Sequence, residues 1–77
     1  TGTPFHLVCA NLTSDLLLAQ AERLARWVHP KGRLVLAGIL KREFRGVRNA
    51  YQDLGLRLAA TRVGREWQSG AFVWEND

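Results

Sequence analysis

Two nearly unbroken apolar runs, Leu7-Val8-Cys9-Ala10 and Leu34-Val35-Leu36-Ala37-Gly38-Ile39-Leu40, are each followed by a stretch of helical periodicity. No other feature constrains the chain as tightly. Short continuous apolar runs suit strands covered on both faces. Strands that alternate with helices pair in parallel through right-handed crossovers. The first run, opened by Phe5-His6, ends in a polar corner, Asn11-Leu12-Thr13-Ser14-Asp15. Thr13 or Ser14 can cap the helix that follows, with Asp15 near the positive end of its dipole. Leu17, Ala21, Leu24, Ala25 and Val28 recur at helical spacing and give that helix a buried stripe. His29-Pro30-Lys31-Gly32 is expected to stop it, because the residue before proline avoids the α region and glycine permits a reversal.

The second strand is predicted over Arg33 to Leu40 and a second helix from about Lys41 to Leu54. Phe44, Val47, Ala50, Tyr51 and Leu54 share one sector of that helix. Lys41, Arg42, Arg45, Arg48, Asn49, Gln52 and Asp53 occupy the other. Gly55 is a natural stop. Leu56 to Val63 reads as a third strand, Gly64-Arg65-Glu66 as a turn and Trp67 to Trp74 as a fourth strand. The order is therefore β-α-β-α-β-β, and the short last connection makes the final strand antiparallel to its predecessor. Seven positions separate Trp67 from Trp74, so one is expected to face the core and the other to be exposed or covered by a further domain.

With 77 residues, 47% of them apolar, the chain is one domain or less with a small core. No apolar run approaches the roughly 18 residues that span a bilayer, and Thr1-Gly2-Thr3-Pro4 has no signal-peptide features. A single cysteine rules out an internal disulfide and suits a cytoplasmic location. The chain has no methionine, so a piece of a longer polypeptide is expected. Eleven Lys and Arg against seven acids give a net charge of +4, and the arginines are spread along the chain. A solvated basic surface is the plainer reading, and a nucleic-acid partner is not expected. Arg42, Arg45 and Arg48 could grip RNA phosphates, but their helix face is also where solubility alone requires charge.

No metal site is expected. His6 and Cys9 point to opposite faces of a strand, and no other cysteine or nearby histidine completes a ligand set. Ser14, Asp15 and His29 do not make a hydrolytic triad, since His29 lies at the far end of the helix. Asn11-Leu12-Thr13 spells a glycosylation acceptor, best explained by chance. Ligands in open α/β sheets bind beyond the carboxyl ends of the strands, where Asn11 falls. Its amide can accept from a substrate amine, or close a turn on its own backbone. The residues alone favour the turn. Gly38, at the end of the second strand, is either a plain strand-end glycine or a point of close approach.

Phe5-His6-Leu7-Val8-Cys9-Ala10-Asn11-Leu12 resembles the fourth-strand motif, aromatic-Asp-Leu-Val-x-Ala-Asn-Ile/Leu, of S-adenosylmethionine-dependent methyltransferases. More narrowly it is similar to the PrmA-type ribosomal protein methyltransferases. Pro30-Lys31-Gly32-Arg33-Leu34-Val35-Leu36 resembles their Pro-Gly-Gly-x-Leu segment, Gly38-Ile39-Leu40 their Ser/Thr-Gly-Ile-Leu, and Glu66-Trp67 their Glu-Trp, all in the same order. The likeness covers essentially the whole chain. It implies an α/β fold, the C-terminal half of a Rossmann-like methyltransferase, with residues 1–77 a partial domain. It further implies methyl transfer from S-adenosylmethionine to amino groups of a ribosomal protein. Asn11 would be the catalytic and cofactor-contacting residue, with Leu12 and Thr13 lining the substrate pocket.

Some positions depart from the pattern. His6 stands where the family has an acid, and Lys31 replaces the first of two glycines. The glycine-rich loop and the strand-two acid that hold the cofactor in the family are absent. The segment by itself is therefore expected neither to bind S-adenosylmethionine nor to catalyse. Its expected partners are the ribosomal protein substrate, the N-terminal half of the domain and a second copy paired along Phe5 to Ala10. The alternative is a small basic RNA-binding module without catalysis.

Overall fold

The computed structural model describes residues 4–75. Its elements are β1 (Phe5–Ala10), α1 (Ser14–Ala19), α2 (Ala21–Trp27), β2 (Val28–Leu40), α3 (Lys41–Asp53), β3 (Leu56–Val63) and β4 (Trp67–Trp74). The four strands form one sheet in the order β1-β2-β4-β3. β1 and β2 are parallel, and β4 runs antiparallel to both of its neighbours. The crossover through α3 thus lands β3 two places from β2, and the hairpin folds β4 back into the gap. The three helices share one core with the sheet: Val8 and Ala10 of β1, Leu34, Leu36 and Ile39 of β2 and Phe72 of β4 meet Leu17, Leu24, Val47 and Tyr51.

Three expectations need correcting. The first helix is two, broken at Gln20, whose ψ of 11° leaves the helical range. The stripe survives, because Gln20 N–H still donates to the Leu16 carbonyl at 2.8 Å and Leu24 N–H to the Gln20 carbonyl at 2.9 Å. Leu17, Ala21, Leu24 and Ala25 are all buried.

Second, His29-Pro30-Lys31-Gly32 does not separate helix from strand. The helix ends at Trp27, and β2 already begins at Val28. Phe5 pairs with Val28 and Leu7 with Arg33, so the segment bulges out of the parallel ladder. The bulge is held by the His6 and His29 rings, stacked 4.1 Å apart, and by the His29 Nδ1, which accepts from Lys31 N–H at 3.0 Å. A Cβ at Gly32 would lie 2.8 Å from the Phe5 carbonyl oxygen, so the close approach requires glycine there. Lys31 is exposed. The glycine that the fold needs is the one retained.

Third, β1 is covered on one face only. Val8 and Ala10 are buried, whereas Leu7 is 60% exposed and Cys9 is open. All the helices lie on the other face, and β1 is an edge of the sheet.

α3 agrees with its pattern: Phe44, Val47 and Tyr51 are buried, and the chain leaves the helix at Gly55 with φ of +104°. Trp74 packs against the core and donates to the Val28 carbonyl at 3.1 Å, while Trp67 is 53% exposed. None of the described helices is long and apolar enough to cross a membrane.

The Tyr51 hydroxyl donates to the Leu17 carbonyl at 2.7 Å inside the core. Leu17 lies in the last turn of α1, where carbonyls have no partner within the helix. Tyr51→Phe should cost about 1–3 kcal/mol at neutral pH by orphaning that oxygen. Burial pushes the Tyr51 phenol from 10.0 up to about 12. Between those values the unfolded chain has lost a proton that the folded chain keeps, so stability falls as pH rises. The loss from this one group approaches about 2–3 kcal/mol. Urea melts across that window should show a decline in the native chain that Tyr51→Phe lacks. Tyr51 is the only tyrosine, so tyrosinate absorbance reads it directly.

Candidate functional site

The carboxyl ends of β1 and β2 lie side by side, with Ala10 opposite Leu36. The hairpin brings the end of β3 and the start of β4 to the same edge of the sheet. Beyond Leu36 the β2–β4 register slips, and Gly38 takes up the slack with φ of +77°. This is a bulge with a left-handed glycine, which re-aims the chain at a sheet edge.

Asn11 leaves β1 beside it. A Cβ at position 38 would overlap the Asn11 Oδ1. The side-chain amide of Asn11 is therefore seated over the Gly38 backbone, and the two residues that the sequence marks separately form one feature. Asn11 is exposed, so its amide can meet a ligand.

Leu12 and Thr13 are used differently. Leu12 is half-buried and packs against the core. Thr13 is the N-cap of α1, its Oγ1 accepting from Leu16 N–H at 3.4 Å. Their backbone stays next to Asn11, but their side chains serve the fold. Ser14 donates to Glu43 Oε1 at 2.7 Å and ties the start of α1 to the start of α3. Lys41 N–H donates to the Glu66 carbonyl at 3.0 Å, joining the start of α3 to the hairpin.

Trp67 completes the edge. With Gly38, Arg62, Gly64, Gln68 and Ser69 it lines a cavity of about 270 Å³. Strand alternation puts Trp67 on the face opposite Trp74, the one without helices. The sequence motif Glu66-Trp67 marks this residue, but only the slipped register of β2 against β4 places it beside Gly38. Among the described residues no three His, Cys, Asp or Glu side chains cluster as a metal site.

Residues 1–73 match the protein family described as Ribosomal protein L11 methyltransferase (PrmA). Curated relatives carry the same name. The one from Chelativorans sp. (strain BNC1) is 38% identical over 64 residues, which is 83% of this chain and 22% of its own length. The one from Ralstonia nicotianae is 41% identical over 63 residues, 82% of this chain and 21% of its own. This chain thus spans about a fifth of these relatives. Among solved structures, the ribosomal protein L11 methylase from Lactobacillus delbrueckii subsp. bulgaricus superposes with a TM-score of 0.88. It is 18% identical, with 95% of this chain and 38% of that one covered. M1.HpyAVI gives a TM-score of 0.71 at 16% identity, covering 92% of this chain and 44% of that one. At such identities the structural likeness speaks for the fold, which is Rossmann-like.

Gly38→Ala should lower stability by about 1–3 kcal/mol, from the left-handed backbone and the lost seat of Asn11 together. The double variant with Asn11→Ala should recover part of that loss, a coupling that a double-mutant cycle measures. Gly46, on the exposed face of α3, has nothing within 4 Å of an added Cβ, so Gly46→Ala should be neutral or stabilise by up to about 1 kcal/mol. Strict additivity of Asn11→Ala and Gly38→Ala would show that the two do not act as a unit.

Proposed function

Because this chain belongs to the ribosomal protein L11 methyltransferase (PrmA) family, we propose that it supplies the amine-orienting side of a site for methyl transfer from S-adenosylmethionine to a ribosomal protein. The observation that carries this reading is the Asn11 amide seated over Gly38 at the carboxyl ends of two parallel strands. In an open α/β sheet that is where ligands bind. The backbone has made room there for the side-chain amide of an exposed residue.

The cofactor, when bound, supplies an electrophilic methyl group. Asn11 Oδ1 accepts one N–H of the neutral substrate amine, and a backbone carbonyl of the Asn11-Leu12-Thr13 corner accepts another. With two N–H bonds directed, the lone pair has one direction left. An amide does not titrate, so this is positioning and not base catalysis. Trp67 offers an apolar wall at the same edge, suited to the stem of a lysine-like substrate.

The residues present fit one side of a cofactor site. Glu43, at the start of α3, is engaged by Ser14, and the sequence has no glycine-rich phosphate-type loop. The isolated 77-residue chain should therefore show no S-adenosylmethionine binding by calorimetry at micromolar ligand. The outer ladder of β1, unpaired among the described residues, is where a second copy would add antiparallel. Sedimentation of the same sample should then give a dimer. Micromolar affinity for the cofactor would overturn the one-sided site, and a monomer at high concentration the pairing.

The catalytic reading is tested in a chimera in which residues 4–75 replace the matching segment of the Ralstonia nicotianae relative. The chimera should methylate ribosomal protein L11. Asn11→Ala in it should reduce turnover by about 10- to 100-fold, the scale of a lost positioning contact, while leaving the melting temperature nearly unchanged. Undiminished turnover would return Asn11 to a turn-forming role.

A further inference from the structure

A groove of about 530 Å³ runs between α3 and the β3–β4 hairpin, on the helical side of the sheet. Lys41, Arg45 and Arg48 form its helical wall, Thr61 and Gln68 the hairpin wall, and Phe44 and Leu58 contribute apolar floor. We propose that this groove binds the phosphate backbone of single-stranded RNA.

The three cations lie at i, i+4 and i+7, in one stripe with axial steps of about 6 and 4.5 Å. Like charges at these spacings destabilise a helix. An anion lying along the stripe removes that repulsion. Among the described residues no carboxylate lines the groove. Glu43, on the same helix, is turned to Ser14, and the ion pair of Arg57 with Glu75 involves none of the three. A surface charged only for solubility mixes both signs, as α2 does with Glu22, Arg23 and Arg26. This one is sorted. The sorted set also differs from the arginine row read off the sequence, since Arg42 lies outside the groove, in a hollow with Arg65 and Glu66 that Lys41 also borders.

The remaining lining decides between anions. Asn49 and Gln52 each present donors and an acceptor, and Gln68, whose Nε2 donates to Thr61 Oγ1 at 3.0 Å, keeps its acceptor and one N–H. Base edges and ribose hydroxyls offer both kinds of group, whereas the carboxylates of an acidic peptide only accept. Gln68 borders both this groove and, through the sheet, the cavity beside Gly38 on the opposite face. The proposal is independent of methyl transfer.

Fluorescence anisotropy of a labelled oligouridylate of about 12 nucleotides with the 77-residue chain tests it. Three phosphate contacts should give a slope of log affinity against log salt of about −2. Lys41→Gln/Arg45→Gln/Arg48→Gln should weaken binding at least about tenfold and flatten the slope, and Arg45→Gln alone should reduce it by about 0.7. Arg23→Gln/Arg26→Gln/Arg33→Gln removes the same charge elsewhere and should change affinity far less. Circular dichroism confirms that each variant is folded. Absence of binding at low salt, equal losses in the two triple variants, or tighter binding of polyglutamate than of the oligonucleotide would each overturn the proposal.

Discussion

The core depends on one buried hydrogen bond, from the Tyr51 hydroxyl to the Leu17 carbonyl. The break at Gln20 ends α1 early and leaves Leu17 in its last turn, with a carbonyl that needs a donor. An apolar residue at position 51 would fill the same space and leave that oxygen orphaned in a dry core. The bond also fixes α1 against α3, and the ring leans on Phe72 of β4 at 5.8 Å. Helix, helix and sheet are thus referenced to one side chain. The Ser14–Glu43 hydrogen bond repeats the link between the two helices at the carboxyl edge of the sheet.

What happens at that edge follows from the frame. Both crossovers put their helices on one face, so the strand ends and helix starts converge on the same rim. There Asn11 packs on Gly38, and Gly38 shares a cavity with Trp67. The slipped register that gives Gly38 its positive φ also shifts Trp67 opposite Leu40. A single bulge therefore sets both the seat of Asn11 and the position of the exposed indole.

Much of this was legible in the residues. The apolar stripes of the helices, the end of α3 at Gly55, the bounds of β3 and β4 and the opposed tryptophans follow from periodicities of 3.6 and 2 that local sequence carries. Asn11 was legible as a strand-end amide. The break at Gln20 was not, since Leu18-Ala19-Gln20-Ala21-Glu22 contains neither proline nor glycine. The bulge at His29 to Gly32 was misread for the opposite reason. Proline and glycine mark an irregularity, but they do not say whether it lies between elements or inside a strand. The replacement of a family glycine by Lys31 ceases to be a puzzle once the close approach to Phe5 is seen to belong to Gly32.

Sequence by itself determined the alternation of strands with helical segments, the apolar stripes of those helices and the membership of the chain in a methyltransferase family. Each of these depends on contacts between near neighbours along the chain or on a motif read in register. Only the tertiary structure decided that β4 inserts between β2 and β3, that Asn11 rests on Gly38, and that Lys41, Arg45 and Arg48, without Arg42, share a groove. The first two facts join residues more than 20 positions apart through strand pairing and packing, and the third depends on how α3 sits against the hairpin that follows it. A local pattern cannot encode them, because the same pattern is compatible with several registers, and burial of one shared core selects among them.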